Sequence, residues 1–551
     1  MTSAESGEAR PWWSDAVVYQ IYPRSFCDTT GDGVGDLDGV VRHLDHLVWL
    51  GVDALWLSPI FRSPMADHGY DVADYCDIDP VFGTLAGADR LIAEAHDRGL
   101  RVLLDWVPNH SSDQHPWFVE SRSSRDNPKR DWYLWVDGTP DELPTGWPRA
   151  FPPGPAWTWD DTTEAWYYHR FTPQQPDLNW ENPDVVAAMH DTLRFWLDRG
   201  VDGFRMDVIH RIGKDLPAAL ADGATTPVVA ERTRQHLRGI RAVIDGYADR
   251  TSVGEVYILD VDQVATYAGG GVDAGPENSP LLHLAFNFVP MWQPWEAGAM
   301  RLAVESAVAA FGVRGTPPTW VLGSHDMPRL RTRLAAGGDG ADGHVAASGD
   351  GADGHVAAGE DVARAAAVLL LGLEGTAYVY AGEELGLEDA VVPPNKAVDP
   401  SGIRDGCRAP IPWDATATHG WSTDDPWLPW PPEADVRNVA ALRDDPDSIL
   451  HLYRRLLAVR RGSAALRGGT QALLDSDDDV LAWQRTSTDG ADTRVVAVNF
   501  SRDEPRLFLP DGSAGPPGWL VELASDGAGE GEAFPGELAP AQAVVLRPAT
   551  I

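Results

Sequence analysis

The run Val201-Asp202-Gly203-Phe204-Arg205-Met206-Asp207 is apolar in its first half and ends on an arginine and a carboxylate two residues apart. Read as a β-strand, it turns Arg205 and Asp207 to the same side, because side chains alternate along a strand. A guanidinium beside a carboxylate favours the ionised form, and an ionised carboxylate is what nucleophilic attack requires. Asp105, Glu255 and Asp326 follow the same grammar, each at the end of an apolar run. One such acid alone reads as well as a salt bridge or a helix cap. Four of them, two with a histidine close by, read as a site.

Paired carboxyls suit glycosidic bond cleavage, which needs one ionised and one protonated group flanking the bond. Asp207, beside Arg205, reads as the nucleophile. Glu255, in Ser252-Val253-Gly254-Glu255-Val256, has few cations near it in sequence and reads as the general acid/base. In a retaining enzyme the two carboxyls stand about 5–5.5 Å apart. Asp326 is suited to holding sugar hydroxyls, and His110 and His325 are neutral donors for the same groups.

A second constellation is Asp28-Thr29-Thr30-Gly31-Asp32-Gly33-Val34-Gly35-Asp36. Its alternating oxygen-bearing residues and glycines predict a cation loop with Asp28, Thr30, Asp32, the Val34 carbonyl and Asp36 as hard ligands. Calcium, in a structural role, is the expected ion. No glycine-rich phosphate loop follows any strand, so no organic cofactor is expected.

The elements that must position these groups alternate. Apolar strands are predicted at residues 17–22, 54–57, 101–105, 203–207, 251–256, 283–288, 319–324 and 377–381, with helices at 37–50, 85–98, 185–199 and 448–461 between or after them. Near-continuous apolar strands alternating with helices indicate a parallel sheet covered on both faces, and eight of them favour a (β/α)8 TIM barrel over an open sheet. Such barrels carry their chemistry at the carboxyl ends of the strands.

The alternation breaks at residues 109–183, a stretch rich in Trp, Pro and Asp without helical period, which predicts an inserted domain after the third strand. The expected organisation is therefore barrel (1–108), insertion (109–183), barrel (184–463) and an antiparallel β-domain (464–551). A ten-residue unit beginning at Gly338 recurs from Gly349 and reads as a disordered tandem duplication.

The chain has 551 residues, 83 acidic against 44 basic, and a net charge of −39, which argues against nucleic acid or an anionic membrane as partner. Cys27, Cys76 and Cys407 show no metal-ligand spacing, Met1 to Arg10 lacks the apolar run of a signal peptide, and no apolar stretch is long enough to span a bilayer. A cytoplasmic location is the expectation. The 23 tryptophans fit a carbohydrate ligand, although Trp49, Trp56 and Trp196 fall on helix and strand patterns and read as packing.

These motifs together resemble the α-amylase family of glycoside hydrolases (family 13), in particular its α-glucosidase and oligo-1,6-glucosidase branch. Asp105-Trp106-Val107-Pro108-Asn109-His110 is similar to the first conserved region, residues 203–207 to the second, Glu255 to the third and His325-Asp326 to the fourth, with Ser324 where asparagine is usual. Gln175-Pro176-Asp177-Leu178-Asn179 resembles the oligo-1,6-glucosidase marker. Asp67-His68-Gly69-Tyr70-Asp71 resembles the segment that grips a non-reducing glucose through Asp67 and Tyr70, and Arg404-Asp405-Gly406-Cys407-Arg408 the loop whose final arginine, Arg408, closes that pocket.

The resemblance implies Asp207 as nucleophile, Glu255 as acid/base and Asp326 as transition-state stabiliser, with His110, Arg205 and His325 holding the glucose. It implies a retaining, exo-acting α-glucosidase on small α-glucosides, with transglucosylation where the acceptor is another sugar. Oligo-1,6-glucosidase, trehalose synthase and sucrose isomerase are the alternatives. Val208 resembles the residue associated with α-1,6 cleavage in close relatives. Oligomeric state stays open.

Overall fold

The computed structural model describes residues 10–269, 281–335, 352–510 and 518–549. Eight parallel strands form its centre: β1 (Val17–Ile21), β2 (Ala54–Leu57), β3 (Arg101–Trp106), β4 (Gly203–Met206), β5 (Thr251–Gly254), β6 (Leu284–Ala285), β7 (Thr319–Val321) and β8 (Thr376–Tyr380). Their order in the sheet is β6-β5-β4-β3-β2-β1-β8-β7, and a parallel bridge between Asn287 and Trp320 spans the remaining gap. The ring is the (β/α)8 barrel that the apolar runs predict. Alternation divides each strand between two cores. Val18, Trp56, Leu103, Val253, Val321 and Tyr378 fill the barrel interior, while Val17, Tyr19, Leu55, Val102 and Leu104 pack outward against the helices.

Most helices lie where the periodicity places them. Leu85–Asp97 is followed by Gly99 at φ +80°, and Ile449–Gly462 is capped by Ser448, whose hydroxyl accepts the His451 N–H at 3.3 Å. The helix expected over 37–50 is instead two, Leu37–Arg42 and Leu44–Leu50, parted at His43. The His43 ring stacks on Trp413 at 3.3 Å between centroids, a contact from a distant loop that local periodicity cannot contain. The ten-residue duplication lies partly outside the described residues. From Ala352 onward its second copy belongs to the helix Ala352–Gly372 rather than to a disordered loop.

Between β3 and the helix Pro183–Asp198 the chain makes a three-stranded antiparallel sheet, with Ala165–Tyr168 between Trp135–Asp137 and Trp157–Asp160. Trp147, Trp157, Trp166 and Tyr168 form its small core. A short helix, Pro116–Ser121, also lies here, where no helical period announced one. After residue 468 follows a five-stranded antiparallel sheet in the order Thr470–Leu473, Val480–Thr486, Thr493–Asn499, Ala543–Pro548, Trp519–Ala524.

Lys214, from the loop after β4, clasps the inserted segment. Its Nζ donates to Asn109 Oδ1 at 2.8 Å and pairs with Asp177 Oδ2 at 3.1 Å, residues that lie near the two ends of that segment. Both side chains of the pair are almost fully buried, so removing one charge strands the other. Lys214→Met should therefore lower the unfolding free energy by about 3–5 kcal/mol, read by denaturant titration, and Lys214→Met with Asp177→Asn should recover part of it. Unchanged stability of the single variant would refute the clasp.

Candidate active site

Two of the strand-end acids are held by the ladder of the neighbouring strand. Asp207 N–H donates to the Trp106 carbonyl and Glu255 N–H to the Met206 carbonyl, both at 2.9 Å. The acids thus stand in the first positions beyond β4 and β5, where the sheet still fixes the backbone but the side chains reach the barrel mouth.

Arg205 joins them. Its Nη1 donates to Asp207 Oδ1 at 2.7 Å and to Asp105 Oδ1 at 2.8 Å, and its Nη2 donates to Glu255 Oε2 at 2.7 Å. The two candidate carboxyls are therefore no further apart than one guanidinium can bridge. Two expectations need correcting. Glu255 is not remote from cations, because Arg205 touches it directly; sequence order hid a contact made across adjacent strands. Nor does Arg205 alone set the charge on Asp207. Burial pushes that carboxyl well above the usual carboxylate range, Arg205 pulls it down, and Glu255 and Asp105 push it up again. Asp105 is pushed up to about 6 by burial, with Arg205 opposing. Asp105 and Asp207 share the one guanidinium, so the ionisation of one works against that of the other.

Tyr70 and His325 line the same space. Tyr70 Oη lies 3.0 Å from Asp105 Oδ2 and 2.7 Å from His325 Nε2, and the two rings stack at 5.5 Å. Gln20 Nε2 donates to His325 Nδ1 at 2.7 Å, which leaves the His325 proton on Nε2, facing Tyr70 and Asp326. Burial pushes the His325 imidazole down to about 3, so it is neutral. Trp56, read from sequence as packing, also donates its indole N–H to Asp105 Oδ2 at 3.3 Å. His110 lies behind Tyr70, its Nε2 3.1 Å from the Tyr70 carbonyl.

A ring of ion pairs walls the far side. Arg404 donates to Asp67 at 2.7 Å, to Asp326 at 3.1 Å and to Asp399 at 2.6 Å, and Arg408 donates to Asp326 at 2.9 Å. Gln175, from the inserted segment, reaches Asp67 at 3.2 Å. Burial works against ionisation of Asp326, but His325, Arg404 and Arg408 together hold its carboxyl far below the usual range. Arg408 was expected here; Arg404 and Asp399 were not. The signal available was the spacing of two arginines four residues apart in one loop. A cavity of about 530 Å³ lined by Trp13, His283 and Glu374 opens at the opposite end of the barrel, away from all of these acids.

Residues 20–469 match the alpha-amylase catalytic domain. The chain belongs to the alpha-amylase family. It is 41% identical over 534 residues to a probable alpha-glucosidase of Rhizobium meliloti (strain 1021), covering 91% of each chain. It is 35% identical to an oligo-1,6-glucosidase of Parageobacillus thermoglucosidasius, covering 91% of this chain and 92% of that one. Among solved structures, an alpha-glucosyl transfer enzyme, XgtA, superposes with a TM-score of 0.83 at 34% identity, covering 98% of this chain and 100% of that one. A trehalulose synthase of Pseudomonas mesoacidophila MX-45 does so with a TM-score of 0.83 at 32% identity and the same coverage.

In this alpha-amylase family chain the loop 28–36 folds onto its own amides. Asp28 accepts the N–H groups of Thr30, Gly31 and Gly33, Asp32 accepts that of Val34, and Asp36 accepts that of Thr29 and caps the helix Leu37–Arg42. Gly31 and Gly33 take φ of +89° and +83°, which only glycine adopts freely. The three carboxylates, one hydroxyl and one carbonyl are the hard-oxygen set a calcium ion takes. Among the described residues no three His, Cys, Asp or Glu side chains converge as a metal cluster.

Glu383, just past β8, is buried with neither carboxyl oxygen hydrogen-bonded. Burial pushes it from 4.5 up to about 8, and Glu384 adds to the shift. Its folded pKa is raised, so its contribution to stability is complete below pH 4.5 and is lost as pH rises through about 8. Glu383→Gln should remove that dependence, so that its Tm gains on the wild type as pH rises from 4.5 to 8. Two Tm curves running parallel would show that Glu383 ionises freely.

Proposed function

We propose that this chain is a retaining, exo-acting α-glucosidase that releases glucose from the non-reducing end of short α-gluco-oligosaccharides. The observation that carries the reading is the Arg205 bridge, which aims Asp207 and Glu255 into one space at the barrel mouth. Asp207 attacks the anomeric carbon as Glu255 gives its proton to the departing oxygen, forming a glucosyl-Asp207 ester. Glu255 then takes a proton from water, which attacks the same carbon and frees Asp207. Asp326, Asp67, Tyr70, His110, His325 and Arg408 hold the glucose. The ion pairs that tie Asp67 through Arg404 to Asp326 support exo action, which needs a pocket closed on one side.

Water and a sugar hydroxyl compete for the same ester, so transglucosylation is the companion activity. The likeness to XgtA and to trehalulose synthase supports transfer or isomerisation as a second reading; oligo-1,6-glucosidase and trehalose synthase also stay within the proposal. A cytoplasmic location belongs to it too, and among the described residues no helix is long and apolar enough to cross a membrane. Products from maltose, isomaltose, sucrose and trehalose separate the readings, with the α-anomer of glucose appearing first if configuration is retained. Release of glucose from none of these would overturn the hydrolase.

Glu255→Gln should lose about 10²–10⁴-fold in kcat/KM on disaccharides and much less in kcat/KM on p-nitrophenyl α-glucoside, whose leaving group needs no proton, because kcat/KM reads the first step alone. Asp207→Asn should lose both alike. Equal losses on both substrates for Glu255→Gln would refute its role as acid.

Calcium in the 28–36 loop, held by Asp28, Thr30, Asp32, the Val34 carbonyl and Asp36, is a structural part of the same proposal. Calcium added to chelator-treated protein should raise the Tm, and Asp32→Ala should abolish the rise. An unchanged wild-type Tm removes the ion from the account.

A further inference from the structure

The strands also end in a hollow on the side away from the acids. Trp13 precedes β1, His283 precedes β6 and Glu374 precedes β8, and all three line the cavity of about 530 Å³ at the amino-terminal end of the barrel. That volume falls within the range of about 300–1,000 Å³ that small-molecule sites occupy. Arg10 and Arg241, the second on the helix Ala230–Ile244, add polar lining. Gly312, near the end of the helix Ala297–Val313, lines it too, and a Cβ built there meets nothing within 4 Å. The helix thus leaves room where almost any other residue would fill it.

Trp13 supplies an aromatic plane. It meets Trp12 and His283 edge to face, with centroids 5.8 and 4.9 Å away, and among the described residues no ring stacks parallel to it. Arg10 and Glu374 supply uncommitted charge, since among the described residues neither side chain has a hydrogen bond or ion pair. Arg241 is half committed. Its Nε donates to Asp245 Oδ1 at 2.7 Å, and among the described residues its Nη groups have no partner. His283 Nε2 lies 3.3 Å from the same Asp245 oxygen, and burial lowers the imidazole pKa, so the ring adds no charge. Two guanidiniums therefore stand against two carboxylates, Glu374 and Asp245, and neither an anion nor a cation is favoured overall. A sugar hydroxyl, which both donates and accepts, finds donors on the arginines and an acceptor on Glu374. The apolar face of a sugar ring suits an aromatic plane.

We propose that this cavity is a second carbohydrate site, which takes a neutral mono- or disaccharide with its ring on Trp13 and its hydroxyls between Arg10, Arg241 and Glu374. None of these residues belongs to the site at the barrel mouth, so the inference stands apart from the glucosidase reading. Occupation of the cavity and turnover at the mouth are separable events.

The test is equilibrium dialysis of radiolabelled glucose and of radiolabelled maltose against full-length Asp207→Asn, chosen so that bound sugar is not consumed. Adding Trp13→Ala or Gly312→Leu to that protein should lower the count for at least one of the two sugars by one equivalent per chain. The first change removes the aromatic plane; the second fills the space and removes no polar group. Glu374→Gln should weaken the same equivalent by about tenfold or more. In the otherwise wild-type chain, Gly312→Leu should leave kcat/KM on p-nitrophenyl α-glucoside unchanged. If Trp13→Ala does not fold, Gly312→Leu carries the test, because leucine is the better helix former. Equal counts in all these proteins overturn the second site. An equivalent that sodium phosphate displaces overturns the neutral ligand. Failure of the glucosidase reading shows elsewhere, as no cleavage of any α-glucoside by the wild type, and leaves the equivalent that depends on Trp13 in place.

Discussion

One guanidinium holds the mouth of this barrel together. Arg205 is almost fully buried and meets Asp105, Asp207 and Glu255, drawn from the ends of three adjacent strands. Without it, three carboxylates would face one another in a poorly solvated space, and burying unpaired charge is far costlier than burying a pair. The pairing also reads out register, since Arg205 lies opposite Asp105 on β3 and opposite Val253 on β5. A slip of one residue would turn Arg205 outward and leave the acids without a cation. Barrel closure and charge compensation are thus one constraint.

Around that centre the structure adds a rim that the strands cannot supply. Asp67, Gln175, Asp326 and the pair Arg404 and Arg408 come from four separate loops, and two of those loops are fixed by aspartates of their own. Asp71 accepts the N–H groups of Ala66 and Asp67, and Asp399 accepts those of Ile403 and Arg404. The side chains of Asp67 and Arg404 therefore sit on loops stiffened by buried aspartates. Lys214 does the same for the inserted segment, whose Gln175 completes the wall.

The barrel was legible because strands buried on both faces are continuous apolar runs, and the acids were legible because they end those runs. Contacts between distant loops were not. Arg404 and Asp67 are 337 residues apart, and nothing local to either names the other. Trp56 looked like packing because its ring is packing; only its indole N–H, turned to Asp105, joins the site. The break at His43 depended on Trp413, and the contact of Glu255 with Arg205 depended on which strands are neighbours. Pattern gives elements and their faces, whereas partners across the ring need the closed ring.

Val208 shows how the backbone finishes what the strands begin. It takes φ +36°, a left-handed conformation that a β-branched residue adopts only under constraint. The turn aims its N–H at Glu255 Oε2, at 2.9 Å, the same oxygen that Arg205 Nη2 meets at 2.7 Å. One oxygen of Glu255 is thereby occupied by two donors, and in the proposed mechanism Oε1 is the position left to carry a proton outward. Asp207 is arranged likewise, with Oδ1 held by Arg205 and Oδ2 left, in the proposed mechanism, for attack. The strain at Val208 therefore separates the two jobs: one oxygen of each carboxyl anchors, and the other acts.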